Sequence, residues 1–342
     1  MSTPLISIVI VNWNGERFLK ACLDSVYAQG FCAFEVVVLD NGSTDSSVEF
    51  IKEHYPEVIL VEHPTNLGFA AGNNRAIEHA SGKYILTLNN DTELSEGFLE
   101  ALAASATDAS SKVGMWAPKI LSMKDRDVID SVGGLLVYGD CLAKGRGRGE
   151  KDVGQYDSLE EVFFPSACAA LYRKSMLDKI GLFDEDFFAY CEDTDLGLRA
   201  RLAGFSALSV PGAKVYHYYS GTSGKYSPFK AYLVERNHNW AAIKSLPLSG
   251  VLAMPFYIKW RLLVQAYGVF AGRGAGGRFV EDFSAFKLLT ILIKVYAGLI
   301  ISLPELMSKR RRVKRIATVS DKEIRAWFKA FGITASELVL KD

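Results

Sequence analysis

The chain of 342 residues has no net charge, because 39 Lys and Arg balance 39 Asp and Glu, and it has little cysteine. Its five thiols, Cys22, Cys32, Cys141, Cys168 and Cys191, are odd in number, widely spaced and form no C-x-x-C pair. That pattern excludes a disulfide framework and a zinc knuckle, so reduced, cytoplasmic thiols are expected. No stretch of about 20 uncharged apolar residues occurs, and a membrane-spanning helix is not expected. Residues 5–11 are apolar but too few for a signal peptide, with no basic segment before them, and read better as a strand. No G-x-G-x-x-G follows that run, and no G-x-x-x-x-G-K followed by Ser or Thr occurs anywhere, which counts against dinucleotide-binding and phosphate-loop folds. Internal repeats are absent as well.

What is present is a core-forming composition with a hidden charge split. Hydrophobic residues make up 49% of the chain, enough for one large domain plus an appendage, or for two domains. Residues 246–342 carry 16 Lys and Arg against 7 Asp and Glu, whereas residues 1–245 carry 23 against 32. The basic part includes Lys309-Arg310-Arg311-Arg312-Val313-Lys314-Arg315. A main domain over 1–245 and a helical, surface-seeking region over 246–342 are expected. Within the latter, residues 283–303 hold Lys287, Thr290 and Lys294 on a narrow strip opposite a broad apolar face. This suits a helix lying in a membrane interface, ended by Pro304; the alternative is a core helix packed on the main domain.

The first ninety residues alternate strand and helix patterns. A near-continuous β-branched run at 5–11 reads as a strand buried on both faces, and 34–39, 58–61 and 83–88 read as the second, third and fourth strands. Helical spacing fills the intervals, and the third helix is expected near 70–79. The result is an α/β fold with a mostly parallel central sheet and helices on both faces. Polar segments follow the strand ends and bring Asn12–Asn14, Asp40, Asn66–Gly68 and Asp91 to one edge, where ligands bind in open sheets of this class. Further on, 128–149 reads as a hairpin with a mobile basic loop, and 163–172 as a strand.

Several residues at that edge could carry chemistry, each with a plainer alternative. Asp40 could accept a nucleobase N–H, or cap its own turn in Asp-Asn-Gly-Ser. The start of the third helix could offer bare N–H groups to a phosphate. Asp91 could hold a divalent cation against a diphosphate, or cap the next segment. His217, between Tyr216 and Tyr218, could be a metal ligand or structural. The densest acid cluster is Glu192, Asp193 and Asp195, placed after the aromatic run Phe187-Phe188-Ala189-Tyr190 and before a helix over about 194–203. It could simply favour the helix N-terminus, or supply a base tuned by desolvation.

Taken in order, Ile8-Val9-Ile10-Val11-Asn12-Trp13-Asn14-Gly15, Val38-Leu39-Asp40-Asn41-Gly42-Ser43, Asn66-Leu67-Gly68-Phe69-Ala70-Ala71-Gly72-Asn73-Asn74, Leu88-Asn89-Asn90-Asp91, Gly181-Leu182-Phe183-Asp184-Glu185 and Cys191-Glu192-Asp193-Thr194-Asp195 resemble the inverting family 2 glycosyltransferases, which have a GT-A fold. The resemblance covers about residues 4–240 and is nearest to rhamnosyltransferase-like members of cell-surface polysaccharide pathways. It implies that Val11, Asn12, Asn14 and Asp40 hold the base, and that Asn66 and Gly68, with Asn73 and Asn90, border the rest of a UDP- or dTDP-sugar. It implies Asp91 and His217 as ligands of Mg²⁺ or Mn²⁺, Asp193 as catalytic base, and Glu192, Asp195 and Arg236 as acceptor or support residues. The D-x-D-type motif reads Asn89-Asn90-Asp91, so its first carboxylate is missing. No Q-x-x-R-W occurs, which argues against a processive polymerase. A glycan or lipid-linked glycan acceptor and a cytoplasmic enzyme, peripheral on the inner membrane face, are the expected partner and location. Nucleic acid is not an expected partner. The alternatives are a nucleotide-sugar-binding protein without activity and a nucleotidyltransferase, which would need a glycine-rich basic loop after the first strand.

Overall fold

The computed structural model describes residues 3–218 and 227–341. The chain begins with three strand–helix units: β1 (Ile6–Asn12), α1 (Glu16–Tyr27), β2 (Phe34–Asn41), α2 (Ser47–His54), β3 (Ile59–His63) and α3 (Gly68–Glu78). Then come β4 (Tyr84–Asn89), β5 (Thr92–Leu94), α4 (Phe98–Asp108), β6 (Val113–Ser122), β7 (Ile129–Val132), β8 (Leu135–Val137), β9 (Ala143–Gly145) and β10 (Glu161–Val162). β11 (Ala169–Arg173), α5 (Lys174–Ile180), a 3-10 turn (Glu185–Phe187), α6 (Glu192–Leu202) and β12 (Ser206–His217) complete the sheet. Six helices follow, α7 (Pro228–Ser245), α8 (Leu248–Phe270), α9 (Gly274–Asp282), α10 (Ala285–Ile316), α11 (Asp321–Ala330) and α12 (Ala335–Leu340), and α7 packs into the core beside the sheet.

The strands run β10-β12-β6-β11-β4-β1-β2-β3, with β1 to β4 mutually parallel and β11 antiparallel to both neighbours. Alternation decides which layer each side chain enters. Ile6, Ile8 and Ile10 pack with Leu19, Leu23 and Leu99 of α1 and α4, whereas Val9, Val37 and Leu39 pack with Ala70 and Ile77 of α3. Because β1, β2, β3 and β4 point the same way, their carboxyl ends share one edge, as their β-branched runs predict.

Four expectations need correction. Residues 163–168 are not strand, because Pro165 has no N–H to give a ladder and Phe164 O instead accepts from Leu135 N at 3.0 Å. β12 is one strand, with a bulge between Val210 and Lys214, where the sequence pattern reads as two runs, one near 207–210 and one from 215. The basic loop after β9 is tied down. Arg146 donates to Val132 O and Glu160 at 2.8 and 2.7 Å, Arg148 pairs with Asp130, and Lys144 donates to Glu337 O at 3.1 Å. Pro304 does not end α10, which continues to Ile316. Proline costs the bond to the carbonyl four residues earlier, here on Ile300, a residue 70% exposed.

Among the described residues, α10 is the one helix long and apolar enough to cross a membrane by length and composition. One side of it, through Ile291, Val295, Leu306 and Val313, is buried. The other leaves Phe286, Ile293, Ile300 and Ile301 exposed, and α8 leaves Leu252, Phe256, Trp260 and Phe270 exposed.

Candidate active site

Strand ends β1, β2 and β4 are laced together by side chains. Asn12, fully buried, donates through Nδ2 to Asp40 Oδ1 at 3.1 Å and to Ser43 Oγ at 3.2 Å, and accepts from Asn90 Nδ2 at 2.8 Å. Asp40 Oδ2 accepts from Ser43 N at 2.9 Å, so the turn-capping role is real. Asn14 has a positive φ of 49° and accepts from Thr44 N at 2.7 Å, clasping the loop after β1 to the loop after β2. Val11 is half-buried beneath them against Leu39 and Gly72.

The start of α3 differs from the expected bare helix N-terminus. Asn66 Oδ1 accepts from Gly68 N at 2.8 Å, Asn41 Oδ1 from Leu67 N at 2.8 Å, and Phe188 O from Ala70 N at 3.0 Å. Protein acceptors therefore already serve these N–H groups. Gly68 has φ +83°, and a Cβ there would lie 2.5 Å from Phe188 O, so only glycine admits this approach. Asn73 is buried and spends its amide on Phe69 O at 2.9 Å.

Phe188 belongs to the loop that delivers the acid cluster. Phe188, Tyr190 and Cys191 all have positive φ, between 62° and 68°, a backbone that L-residues adopt only under constraint. The constraint comes from α7. Asn237 Nδ2 donates to the carbonyls of Phe187, Ala189 and Tyr190 at 2.7–2.9 Å. Arg236 Nη2 donates to Asp186 O and Phe187 O at 2.9 and 3.1 Å and stacks over Trp240. Asp195 is fully buried between Arg199 at 2.8 Å and Lys244 at 2.6 Å, and Arg199 also holds the carbonyls of Ile180, Gly181 and Leu182. Arg236 and Asp195 therefore brace the loop.

Glu192 and Asp193 open α6 in unequal surroundings. Asp193 accepts from Thr194 N at 2.7 Å and from Ala167 N at 3.3 Å. Burial raises its pKa, and these hydrogen bonds oppose the rise. Glu192 is raised well above its ordinary value by burial and then by the Asp193 charge, and its Oε2 has no hydrogen-bond partner among the described residues. Of the pair, Asp193 is the one that ionises first.

A second cluster lies where β12 meets β4 and β5. His217 Nε2 lies 3.4 Å from Asp91 Oδ1 and 3.5 Å from the Asn89 amide. Its Nδ1 is 2.9 Å from Asp130 Oδ2. Burial would raise Asp130, but Arg148 and His217 outweigh it and hold the carboxylate well below its usual range. An ionised Asp130 can only accept, so Nδ1 donates and Nε2 turns towards Asp91. With Nε2 unprotonated, that carboxylate–histidine relay and the second carboxylate facing Nε2 would supply two ligands to a divalent cation. Among the described residues no group of three or more His, Cys, Asp or Glu is arranged to hold a metal ion, so the chain offers an imidazole and a carboxylate, with Asn89 where the missing acid would be. The two clusters are joined by neighbouring residues: Ala167 N reaches Asp193, and Cys168 O accepts from Asn89 N at 2.8 Å.

Sequence reasoning leaves out Asp130, Ala167 and the carbonyl-holding role of Asn237. Asp130 lies 87 residues from His217 and carries no local pattern, and the other two act through backbone groups.

Residues 7–181 match the family model described as glycosyl transferase family 2, about half of the chain. An N-acetylglucosaminyl-diphospho-decaprenol L-rhamnosyltransferase of Mycobacterium tuberculosis is 27% identical over 244 residues, covering 65% of this chain and 79% of the relative. The uncharacterized glycosyltransferase YibD of Escherichia coli (strain K12) is 36% identical over 110 residues, 31% of this chain and 32% of that protein. Among solved structures, the S. aureus TarS fragment in complex with UDP-GlcNAc has a TM-score of 0.53 at 18% identity, covering 94% of this chain and 91% of that one. A mannosyltransferase from Pyrobaculum calidifontis, in complex with GDP-Man and Mn2+, has a TM-score of 0.51 at 15% identity, covering 92% and 86%. These structures share the fold, and the family model shows the lineage: the chain belongs to glycosyl transferase family 2 and is a glycosyltransferase with the GT-A architecture.

Proposed function

We propose that the protein is an inverting, non-processive transferase that moves a sugar, rhamnose being the first candidate, from a UDP- or dTDP-sugar to a hydroxyl of a lipid-linked glycan. The observation that carries this reading is the junction at Ala167 and Cys168, which ties the Asp193 carboxylate to the Asp91–His217 pair through two adjacent residues. An inverting transfer needs such an arrangement, with a base on one side of the anomeric carbon and charge stabilisation for the leaving diphosphate on the other. The mycobacterial relative's name supports the sugar and the diphospho-prenol acceptor class.

In this reading the nucleotide lies along the edge formed by Val11, Asn12, Asn14, Asp40 and Asn90, next to Asn66, Gly68 and Asn73. Asp40 accepts a base N–H with a lone pair that its turn does not use. Asp91 and His217 would hold Mg²⁺ or Mn²⁺, and that ion, when bound, would neutralise charge on the departing nucleoside diphosphate. Asp193 takes the proton of the acceptor hydroxyl as that oxygen attacks. Neutral Glu192 stays beside it, and Arg236 and Asp195 keep the loop in place. The catalytic body spans 1–245, and residues 246–342 seat it on the inner membrane face.

The test is transfer from radiolabelled dTDP-rhamnose and UDP-sugars to a lipid extract, followed by phase partition. Label entering the lipid phase with wild type and not with Asp193→Asn supports the reading. Equal turnover by Asp193→Asn contradicts the role given to Asp193, and water-soluble product alone contradicts the lipid-linked acceptor.

A further inference from the structure

Away from the strand edge, α7, α8 and α10 enclose a groove of about 600 Å³. That volume lies within the roughly 300–1,000 Å³ of small-molecule sites. Ile243, Val251, Met254, Ile258, Leu262 and Leu299 make its walls apolar, and Lys259 stands exposed at its rim. Asn239, fully buried, lies behind these walls and donates through Nδ2 to Glu235 O at 2.7 Å. Leu263, which also lines the groove, is 53% exposed, and Leu252 and Phe256 of the same helix are 66% and 75% exposed. A protein-binding groove is bordered by polar residues, whereas this one is continuous with an exposed apolar surface.

The groove also shares a helix with the catalytic loop. One face of α7 presents Arg236, Asn237 and Lys244 to residues 184–195, and another presents Asn239 and Ile243 to the groove. At 100° per residue, Asn237 and Asn239 lie about 200° apart, so the two sites are separated by roughly one helix diameter, about 10 Å.

We propose that this groove takes one hydrocarbon chain of a prenyl diphosphate lipid, with Lys259 at the mouth facing its anionic headgroup. The inference rests on the lipid-linked acceptor reading above and gives that acceptor's chain a seat. An apolar wall with a cation at its mouth matches a ligand that is all hydrocarbon except for one charged end.

Geranylgeranyl diphosphate is the probe, followed by thermal shift and by titration in the full-length protein, with inorganic diphosphate as the chain-free control. Two groove-filling variants, Val251→Trp and Ile258→Trp, guard against a folding failure in either one, and each is checked by its nucleotide-induced shift. The expected result is binding by wild type, none with diphosphate alone, and affinity about tenfold weaker in both variants. Lys259→Gln should weaken the diphosphate lipid and leave geranylgeraniol unaffected. Equal affinity in wild type and filled variants, or no binding by wild type, overturns the proposal. Lipid-phase transfer that survives in filled variants overturns the groove and leaves the acceptor reading standing. Groove binding with no lipid-phase transfer by wild type does the reverse.

Discussion

Two adjacent carboxylates, Glu192 and Asp193, behave differently because Asp193 has more donors. Asp193 has two N–H partners, whereas Glu192 has a bare, buried Oε2. General-base catalysis contributes about 10²–10⁴-fold, so Asp193→Asn should lower kcat by at least that range while the nucleotide Kd, measured by calorimetry, stays within about twofold. Burial raises Asp193 above 3.8, and the base must be ionised, so kcat/KM should rise with pH along an acid limb above the range of free aspartate. The sign for Glu192 follows from the same physics. Its folded pKa is raised, so the stability it contributes is present below the unfolded value of 4.5 and is lost as pH rises towards the folded value. Glu192→Gln keeps the neutral form at every pH. Its Tm should exceed that of wild type at pH 7.5, and the gain should vanish near pH 4; a variant less stable at both pH values would contradict the assignment. The acid cluster was legible in the sequence because all three carboxylates fall in one helical turn. Asp130 was not legible, because β7 reaches His217 only through the folded sheet.

At the scale of elements, the loop between the 3-10 turn and α6 is a strained connection held from outside. Three positive-φ side-chain residues persist there because Asn237 collects three carbonyls and Arg236 two. Asn237→Ala should cost about 2–4 kcal/mol in chemical denaturation, at about 1 kcal/mol per lost hydrogen bond plus unpaired carbonyls. It should also lower kcat more than it raises the donor KM, since the loop carries Asp193 and not the nucleotide edge. A purely structural residue would leave kcat of the folded fraction unchanged. Lys309 of α10 joins the same brace through Asp184 at 2.6 Å, which links the C-terminal helices to the loop. The four parallel strands were readable from their apolar runs: β1, β2 and β4 are largely buried, and β3, at the sheet edge, keeps a β-branched pattern with Ile59 exposed. The bulge in β12 and the passage of α10 through Pro304 were not, since each depends on neighbours that local sequence does not name: β6 for the bulge, and α7 along α10.

As a whole, the molecule joins a polar strand edge to an apolar, basic helical face. Lys309 and Arg310 of the basic run turn inward, the latter to Ile243 O, whereas Arg311, Arg312, Lys314 and Arg315 stay exposed. Basic residues near an anionic surface contribute about 1 kcal/mol each, so flotation with phosphatidylglycerol vesicles should exceed flotation with neutral vesicles and fall with salt. Replacing those four residues by Gln should remove the difference; unchanged flotation would mean that the basic run does not face the membrane.

Nucleotide binding through a metal at the strand edge underlies every step of the account, and thermal stabilisation by UDP, dTDP and GDP, each with Mg²⁺, Mn²⁺ or chelator, tests it without knowledge of the acceptor. Ligand at 100 times its Kd stabilises by about 2.7 kcal/mol. The account predicts a shift with UDP or dTDP that needs metal and is lost in Asp91→Asn and His217→Ala. No shift with any nucleotide, or a shift indifferent to chelator and to both substitutions, would contradict it.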